Sequence, residues 1–334
     1  MQRIDCDRNS LSSSQRPLVL ALGNFDGLHL GHQALIREAI RLAQEQGMAA
    51  GVLLFKNHTD SVFTDEPLPQ LSSLEDKVSL LSQFGLDVTV EKTFCRSFGS
   101  TPPRQFIEDF LLREVGARGI VVGRDYSFGD HATGHVEDLR QAEREGKLFL
   151  SVVEDILFQG ERISSSRIRN LLSQGRVEES REMLGRPYQI RGSIVTGAQR
   201  GRTLGFPTAN LEVSFPYVVP ANGVYLTRLH VGASSYLGMT NIGTNPTFTD
   251  EKRIKIETHL FDVSKDLYGE QVGLEFLRFE RPDRRFSTAE ELIAQMKDDD
   301  RLLRRWGTEE EKESAQGPGG RTGRLLKTTV ETFL

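Results

Sequence analysis

Residues 18–32 read LVLALGNFDGLHLGH, and this stretch decides the fold of the first half of the chain. An apolar run without polar alternation is typical of a parallel strand that is covered on both faces. Here the run stops at Gly23, and helical periodicity follows after the turn. The helical stripe consists of Leu35, Ile36, Ala39, Ile40 and Ala43, with Gly47 placed to end the helix. The stretch predicts a strand, a glycine-rich turn and a helix start.

The same pattern recurs along the first half. Further apolar runs are Val52–Phe55, Val88–Val90, Ile120–Val122 and Phe149–Val153. Helical segments lie between them, one opened by a predicted capping box of Ser72 and Glu75. Strands that alternate with helices over short connections indicate a doubly wound, Rossmann-like α/β domain. We assign this domain to residues 17–185, and residues 1–16 to an N-terminal extension.

After Gly185, predicted strands no longer alternate with helices. Five strand-like stretches follow, with no long helix between them: Ile190–Val195, Gly223–Val231, Tyr236–Thr240, Arg253–Phe261 and Val272–Phe279. This organisation predicts a small antiparallel β-barrel at residues 186–305. A helix with Ser287 and Glu290 as its predicted capping box closes it. Residues 306–334 begin with a polar, glycine-rich sequence and are expected to form a flexible tail.

Composition excludes several classes of protein. The chain has 334 residues, with 42 Lys and Arg against 47 Asp and Glu, a net charge of −5. Such a balance is unsuited to coating nucleic acid or an anionic membrane. Neither a signal peptide nor a membrane-spanning apolar run is recognisable, and Cys6 and Cys95 form no CxxC pair. We therefore expect a cytoplasmic protein without membrane or nucleic-acid partners; self-association is left open.

The turn at residues 23–32 has the chemistry of a phosphate site. Backbone N–H groups and the positive end of the following helix favour an anion. His29 and His32 can face the same phosphate and, as donors, stabilise charge that grows on it. Gly23, Asn24, Phe25 and Gly31 are the accompanying candidates for phosphate contacts. The alternative is a tight turn whose histidines only cap a helix.

The decapeptide GNFDGLHLGH resembles the signature of the HxGH nucleotidyltransferase superfamily. Members move a nucleotidyl group from a nucleoside triphosphate onto a phosphate, and Phe25-Asp26-Gly27 is similar to the FAD synthetase branch. Other branches make CDP-alcohols or adenylate pantetheine phosphate. Cytidylyl transfer therefore remains an alternative on these ten residues.

Residues 163–169, ISSSRIR, indicate a second phosphate clamp, because hydroxyls at a helix start are followed by arginines. The segment resembles the ISSTxIR motif of the same superfamily, with Ser166 where the family usually has Thr. The exchange keeps the hydroxyl. The resemblance implies phosphate contacts from Ser164, Ser165, Ser166, Arg167 and Arg169. An ordinary serine N-cap with solvated arginines is the alternative.

Residues 123–129, GRDYSFG, follow a predicted strand and are similar to the GxDFxFG stretch of the family, which lies by the nucleotide and the flavin. The resemblance implies flavin contacts from Asp125, Tyr126 and Phe128; two core aromatic residues are the alternative. The chain departs from the family at residues 55–59. There FKNHT replaces a Phe-x-Pro-His-Pro stretch, which leaves the shape of this loop open.

Residues 201–211, GRTLGFPTANL, resemble the GRxLGFPTAN motif of riboflavin kinases. Glycines let a loop wrap phosphates, and the resemblance implies phosphate contacts from Gly201, Arg202, Gly205 and Pro207. Thr208 and Asn210 offer hard oxygen ligands for Mg²⁺. A glycine- and proline-rich surface loop is the alternative.

Further motifs follow in the order of the riboflavin kinases. Residues 223–225, 241–248 and 256–260 resemble their GVY, NIGxxPTF and base-bearing strands. Glu257 can accept the proton of an attacking hydroxyl, although an exposed strand glutamate is the commoner fate of this residue. The resemblance also places Arg281 near the flavin.

The resemblance runs from Pro17 to Arg305 and identifies the chain as a member of the bacterial bifunctional riboflavin kinase/FAD synthetases. It implies riboflavin, FMN, FAD and ATP as substrates and products, with Mg²⁺ as cofactor. Two alternatives are a non-catalytic, flavin-sensing barrel and a cytidylyltransferase. A nucleic-acid-binding barrel is disfavoured, since no interleaved basic and aromatic stripe is present.

Overall fold

The computed structural model describes residues 1–8, 17–64, 68–197, 206–244, 254–263 and 265–315. Contacts between Cα atoms divide the chain into two compact units, Met1–Ser165 and Ser166–Leu334. The division falls before the expected boundary at Gly185. The reason is that helix Val177–Leu184 packs against strands of the second unit.

The first unit is built on a parallel sheet. Its strands are β1 (Gln2–Asp5), β2 (Leu18–Ala21), β3 (Ala49–Phe55), β4 (Val88–Lys92), β5 (Ala117–Gly123), β6 (Ser127–Phe128), β7 (Gly134–His135), β8 (Phe149–Val153), β9 (Leu157–Phe158) and β10 (Glu161–Arg162). Six of them form one parallel sheet in the order β1-β4-β3-β2-β5-β8, while β6 pairs with β7 and β9 with β10. The chain therefore winds outward in both directions from β2. The expectation of a doubly wound domain is confirmed.

The first residues differ from the expected extension. β1 pairs in parallel with β4 at the sheet edge, and Ile4 is buried against the core. An edge strand of four residues needs few apolar side chains, so no apolar run announces it in the sequence.

Helices cover both faces of the sheet. They are α1 (Leu30–Gln46), α2 (Leu74–Leu81), α3 (Arg96–Gly99), α4 (Pro103–Gln105), a π-helical segment (Phe106–Glu114) and α5 (Val136–Arg144). Short 3₁₀ turns occupy Asp26–Leu28, Thr59–Val62, Ser82–Phe84 and Asp130–Ala132. As expected, α1 ends at Gly47, which has a φ of 65°. The capping box of α2 is Ser73 with Asp76, one residue later than expected.

The second unit is a closed antiparallel barrel, as the sequence predicts. Its strands are β11 (Tyr188–Val195), β12 (Ala209–Glu212), β13 (Gly223–Val231), β14 (Ser234–Thr244), β15 (Ile254–Leu260) and β16 (Gln271–Pro282). They pair around the barrel in the order β11-β12-β15-β14-β13-β16. Inside, a chain of hydroxyls satisfies Thr227, Thr240 and Thr258, with Oγ1 atoms 2.7 and 2.8 Å apart. Buried hydroxyls need such partners.

Among the described residues, three helices belong to the second unit: α6 (Ser165–Ser173), which starts at the last residue of the first unit, α7 (Val177–Leu184) and α8 (Ala289–Ala315). The start of α8 is one residue beyond the expected capping box, because Thr288 Oγ1 accepts the N–H of Glu291. The helix also continues past Trp306, where the sequence predicts a tail. Glu310 explains the extension, since this buried carboxylate pairs with Arg181 and Arg278.

No helix in the described ranges is both long enough and apolar enough to span a bilayer.

Candidate functional site

The glycine-rich turn lies where the winding of the sheet changes direction. It follows β2, and the neighbouring strand β5 ends at Gly123. In open α/β sheets, ligands bind at this switch point, beyond the carboxyl ends of the strands. The backbone of the turn is unusual, since Phe25 and Leu28 have positive φ values of 49° and 42°. Residues in this region are strained and need support from their surroundings.

Buried polar groups supply that support. The Asp26 carboxylate, 1% exposed, accepts the backbone N–H groups of Leu71 and Ser72. Ser72 Oγ accepts the N–H of Gly27 at 2.8 Å, which explains why Ser72 does not cap α2. Ser165 Oγ donates to the Asp26 carbonyl at 2.9 Å. The turn is therefore held at several points along its length.

Phe25 also supports the turn from below. Its side chain is fully buried in the core between the sheet and α1, and its ring contacts the ring of His32. The expected phosphate contact from Phe25 is therefore limited to its backbone.

The two histidines stack on each other above the start of α1. Their ring centroids are 3.7 Å apart, and His29 Nδ1 accepts the N–H of His32 at 3.3 Å. His29 therefore does cap the helix, as the alternative interpretation held. Because Nδ1 accepts, the proton of the neutral ring lies on Nε2. Gly31 leaves room for this arrangement, since a Cβ there would lie 3.1 Å from the His29 ring.

His32 remains neutral near neutral pH. Burial, followed by the neighbouring His29, Lys77 and Arg162, lowers its pKa well below the usual value. Its Nδ1 atom is buried and has no hydrogen-bond partner among the described residues. A buried ring nitrogen without a protein partner is suited to a ligand atom.

A polar cavity of about 320 Å³ opens above these histidines. It brings together most of the predicted phosphate and nucleotide contacts. Its lining includes Gly23, Asn24, Gly31, Asp125, Tyr126, Ser164 and Ser165. Ser166, Arg167 and Arg169 follow in the first turns of α6, and their phosphate contacts stay predictions.

Arg162 is a lining residue that the motif analysis missed. Its guanidinium makes two hydrogen bonds to Asp125, at 2.5 and 2.7 Å, and this pairing lowers the pKa of Asp125. Arg162 also pairs with Asp155 at 3.1 Å. A fixed cation beside the histidines suits a triphosphate. Its position one residue before ISSSRIR was the available signal.

A second cavity, of about 440 Å³, adjoins the first and is largely aromatic. Its lining includes Phe55, Phe63, Phe94, Phe98, Phe106, Tyr126 and Phe128. The two cavities share Gly23, Asn24, Tyr126 and Ser127. Tyr126 stacks on Phe128 with ring centroids 5.6 Å apart, and burial raises the pKa of its hydroxyl. A polar chamber and an aromatic chamber thus meet along these four residues.

The atypical loop at residues 55–59 has a defined shape without prolines. Asn57 bridges to both backbone groups of Phe94, at 2.9 and 3.0 Å. His58 Nδ1 caps the following 3₁₀ turn by accepting the N–H of Asp60. Side-chain caps therefore replace the conformational restriction of proline, and Thr59 and Asp60 reach the aromatic cavity.

The barrel brings three polar side chains into one row. In the strand register, Glu257 lies opposite Asn210 on β12 and opposite Asn241 on β14. Glu257 is half-buried, while its neighbours Ile256 and Thr258 point into the core, as the alternation predicts. Paired residues on one face lie about 5 Å apart at Cβ. Asn241 was not singled out by the sequence.

Thr208 lies beside this row, in a cavity of about 440 Å³. The cavity is also lined by Pro207, Lys265, Leu267 and Tyr268. Gly201, Arg202 and Gly205, the expected loop contacts, lie outside the described residues.

The residues fit a magnesium ion. Thr208 and Asn210 present neutral oxygen donors, with the carboxylate of Glu257 in the neighbouring strand. Asn210 lies directly against the backbone of Gly197, where a Cβ would approach Oδ1 to 2.6 Å and Nδ2 to 2.1 Å. Only a glycine at position 197 therefore leaves room for the Asn210 amide. Mg²⁺ prefers a few protein oxygens and completes its shell with water and phosphate.

His259, two residues after Glu257, ties the Thr208 segment in place. Its Nδ1–H donates to the Pro207 carbonyl at 2.9 Å, and its Nε2 lies 4.0 Å from Asp300 of α8. Only the folded barrel brings these groups together, so sequence reasoning missed the contact.

Arg281, expected near the flavin, is engaged by α8. Its guanidinium pairs with Asp299, 1% exposed, with the closest N–O distance at 2.6 Å. The structure therefore gives Arg281 a role in fixing β16 to the helix, and its flavin contact stays a prediction.

Each half of the chain matches the model of a known protein family. A family model described as FAD synthetase matches residues 11–167. A second, described as riboflavin kinase, matches residues 184–306.

Similar proteins span nearly the whole chain. The bifunctional riboflavin kinase/FMN adenylyltransferase of Bacillus subtilis is 36% identical, over 86% of this chain and 92% of its own length. The protein of the same name from Escherichia coli K12 is 33% identical, over 89% and 95%. A solved Streptococcus pneumoniae structure described as a macrolide-efflux protein is 29% identical, with a TM-score of 0.82, covering 92% of this chain and all of that one.

The fold and the two sites define a class of protein: a nucleotidyltransferase joined to a flavokinase barrel. Family models for both halves and relatives above 30% identity agree with that class. The chain belongs to the family of bifunctional riboflavin kinase/FMN adenylyltransferases. It is an enzyme of flavin-nucleotide synthesis.

Proposed function

We propose that the first unit transfers AMP from ATP to FMN across the junction of its two cavities. The observation that carries this assignment is the meeting of a polar, histidine-bearing chamber with an aromatic chamber along four shared residues, Asn24 among them. The aromatic chamber suits the isoalloxazine ring, and the polar chamber suits ATP. The phosphate of FMN then lies beside the α-phosphate of ATP.

The transfer needs positioning more than a strong base. A phosphate oxygen of FMN, already anionic at neutral pH, attacks the α-phosphorus, and pyrophosphate leaves with the electrons of the broken P–O bond. His29 donates through Nε2–H to the charge that develops, and His32 assists beside it. Ser164, Ser165 and Arg162, followed by Arg167 and Arg169, hold the phosphates.

The barrel phosphorylates riboflavin in this proposal. Glu257 accepts the proton of the riboflavin hydroxyl as its oxygen attacks the γ-phosphate of ATP, and ADP leaves. Thr208 and Asn210 would hold Mg²⁺, which neutralises phosphate charge when bound. The cavity beside Thr208 suits the nucleotide. A cytoplasmic location and the absence of nucleic-acid and membrane partners remain predictions from the sequence.

Two variants of the full-length chain separate the activities. We expect His29→Ala to lower FAD formation from FMN by about 10²–10³-fold, because one donor to the transition state is lost, while FMN formation continues. Glu257→Gln should abolish FMN formation and leave FAD formation from supplied FMN. A chromatographic time course with Mg·ATP follows both products separately.

The same assay distinguishes the alternatives. A wild-type chain that makes FAD from FMN but no FMN from riboflavin would support a flavin-sensing barrel. Preference for CTP over ATP in pyrophosphate release would support a cytidylyltransferase. Loss of both activities in either folded variant would contradict the assignment of two separate sites.

A further inference from the structure

A buried lysine lies beneath the glycine-rich turn. Lys77 is in α2 and is 5% exposed. Its Nζ donates to the main-chain carbonyl of Asn24 at 3.1 Å. Asn24 is one of the four residues that line both the polar and the aromatic cavity. The lysine therefore acts on the backbone at the centre of the site without lining either cavity wall as described.

Burying an ammonium group is costly. A charge removed from water costs several kcal/mol unless hydrogen bonds and opposite charges compensate it. An apolar residue such as methionine has a similar length and fills the same space without that cost. Unlike methionine, lysine supplies both a positive charge and directed N–H groups at this position, one of which binds the Asn24 carbonyl.

The strained backbone of the turn must be restrained by groups outside it, and the Lys77 ammonium is one of them. Phe25 and Leu28 hold left-handed backbone conformations, so the turn keeps its shape only under external restraint. Ser72 and Ser165 restrain it at Gly27 and at the Asp26 carbonyl, after the strained Phe25. Lys77 restrains it at Asn24, before Phe25. The strained residue is therefore fixed from both sides.

The charge of Lys77 also reaches the histidines. It is one of the causes, after burial and His29, that lower the pKa of His32. A fixed positive charge beneath the turn attracts the anionic groups that meet above it. Such a charge is most effective when it is already oriented before the reaction and shielded from water.

We propose that Lys77 is a positioning residue for adenylyl transfer. Its ammonium fixes the Asn24 carbonyl, and with it the junction at which the two phosphates meet, and places a positive charge below that junction. This inference rests on the proposed function of the first unit. It assigns Lys77 no contact with substrate.

Two substitutions in the full-length chain separate the hydrogen bond from the charge. Lys77→Met removes both, whereas Lys77→Gln keeps an N–H donor without the charge. We expect Lys77→Met to lower kcat for FAD formation by about 100-fold, since misplacement by about 1 Å costs that much. KM for ATP and for FMN should change less than about threefold. Lys77→Gln should retain a kcat between those of Lys77→Met and the wild type.

Three controls make the result specific. Riboflavin phosphorylation by the same preparation reports whether the rest of the chain is intact. Lys92→Met removes a partly buried lysine of the first unit, one that pairs with Glu114, and should leave kcat for FAD formation within about threefold of wild type. Circular dichroism and denaturant unfolding of the same preparation give the folded fraction, and kcat is corrected for it. A purely structural lysine would lower that fraction and leave the corrected kcat unchanged.

The outcomes are distinguishable. A corrected kcat within threefold of wild type for Lys77→Met, or a raised KM with unchanged kcat, overturns the inference. If Lys77→Met does not fold, the test rests on Lys77→Gln. A kcat of Lys77→Gln equal to that of the wild type would then overturn the role of the Lys77 charge. His29→Ala is measured in parallel. Should it retain FAD formation, the site assignment fails; should it lose FAD formation while Lys77→Met is normal, only the role of Lys77 fails.

Discussion

His32 combines a partly buried side chain, whose Nδ1 atom is shielded from solvent, with a group that ordinarily titrates near neutrality. Burial, followed by the positive neighbours His29, Lys77 and Arg162, lowers its pKa well below the ordinary value of 6.5. The unfolded chain therefore binds a proton at a pH at which the folded chain does not. Stability consequently falls as the pH decreases from 6.5 toward the folded pKa.

The pH dependence of stability tests this residue. We expect wild-type stability to lose up to about 1.4 kcal/mol per pH unit through His32 below pH 6.5, because each unit of differential proton binding has that value. His32→Gln should show a shallower decline between pH 6.5 and 5. Denaturant unfolding at a series of pH values measures the slope.

An exposed histidine of the same unit provides the control. The His131 side chain is 89% exposed, so His131→Gln should leave the slope unchanged. Equal slopes for wild type and His32→Gln would contradict a lowered pKa for His32.

At the scale of elements, α8 is the clearest departure from the sequence-based expectation. Acidic and basic residues after Trp306 suggest a solvated tail, yet the helix continues to Ala315. Its buried carboxylate, Glu310, lies between Arg181 of α7 and Arg278 of β16. One residue thus joins three elements of the second unit.

Two adjacent glutamates make a matched test of this joint. Glu310→Ala should lower the free energy of unfolding of the second unit by about 3–5 kcal/mol, since it leaves two partly buried arginines without that carboxylate. Glu309, half-exposed in its pair with Arg278, should cost less than about 1 kcal/mol when replaced by alanine. Chemical denaturation followed by Trp306 fluorescence measures both. Equal small losses would show that α8 is not anchored by Glu310.

The sequence predicted those strands and helices that leave a pattern of apolar and polar residues over a short stretch of the chain. Apolar runs located five of the six strands of the main sheet, and alternation placed Glu257 on the outer face of β15. Edge strand β1 was missed because it buries little beyond Ile4. The capping box at Ser73 was misplaced by one residue because Ser72 is engaged by Asp26, far away in sequence.

In the candidate sites, too, the sequence revealed the residues of short motifs but not the residues that act through distant contacts. Motif residues such as His29, Ser164 and Asn210 are recognisable because their spacing along the chain is short. Lys77 and His259 act on the carbonyls of residues more than fifty positions away, at Asn24 and Pro207. Such contacts exist only after folding, and no local pattern in the sequence announces them.

At the scale of the whole molecule, each unit carries its own candidate nucleotide cavity, beside His29 in one and Thr208 in the other. Each proposed transfer step is therefore assigned to its own cavity. FMN, the product of the first step and the substrate of the second, is a small anion that can dissociate and rebind. The two steps need not occur on the same chain.

Mixing two variant chains, each of which retains only one of the two activities, tests this independence. His29→Ala alone should convert riboflavin to FMN, and Glu257→Gln alone should leave riboflavin unchanged. Together they should make FAD, because FMN released by one chain is adenylylated by the other. We expect a lag that shortens as both proteins are concentrated and disappears when FMN is supplied. FAD from supplied FMN but none from riboflavin in the mixture would show instead that FMN passes between the sites of one chain without release.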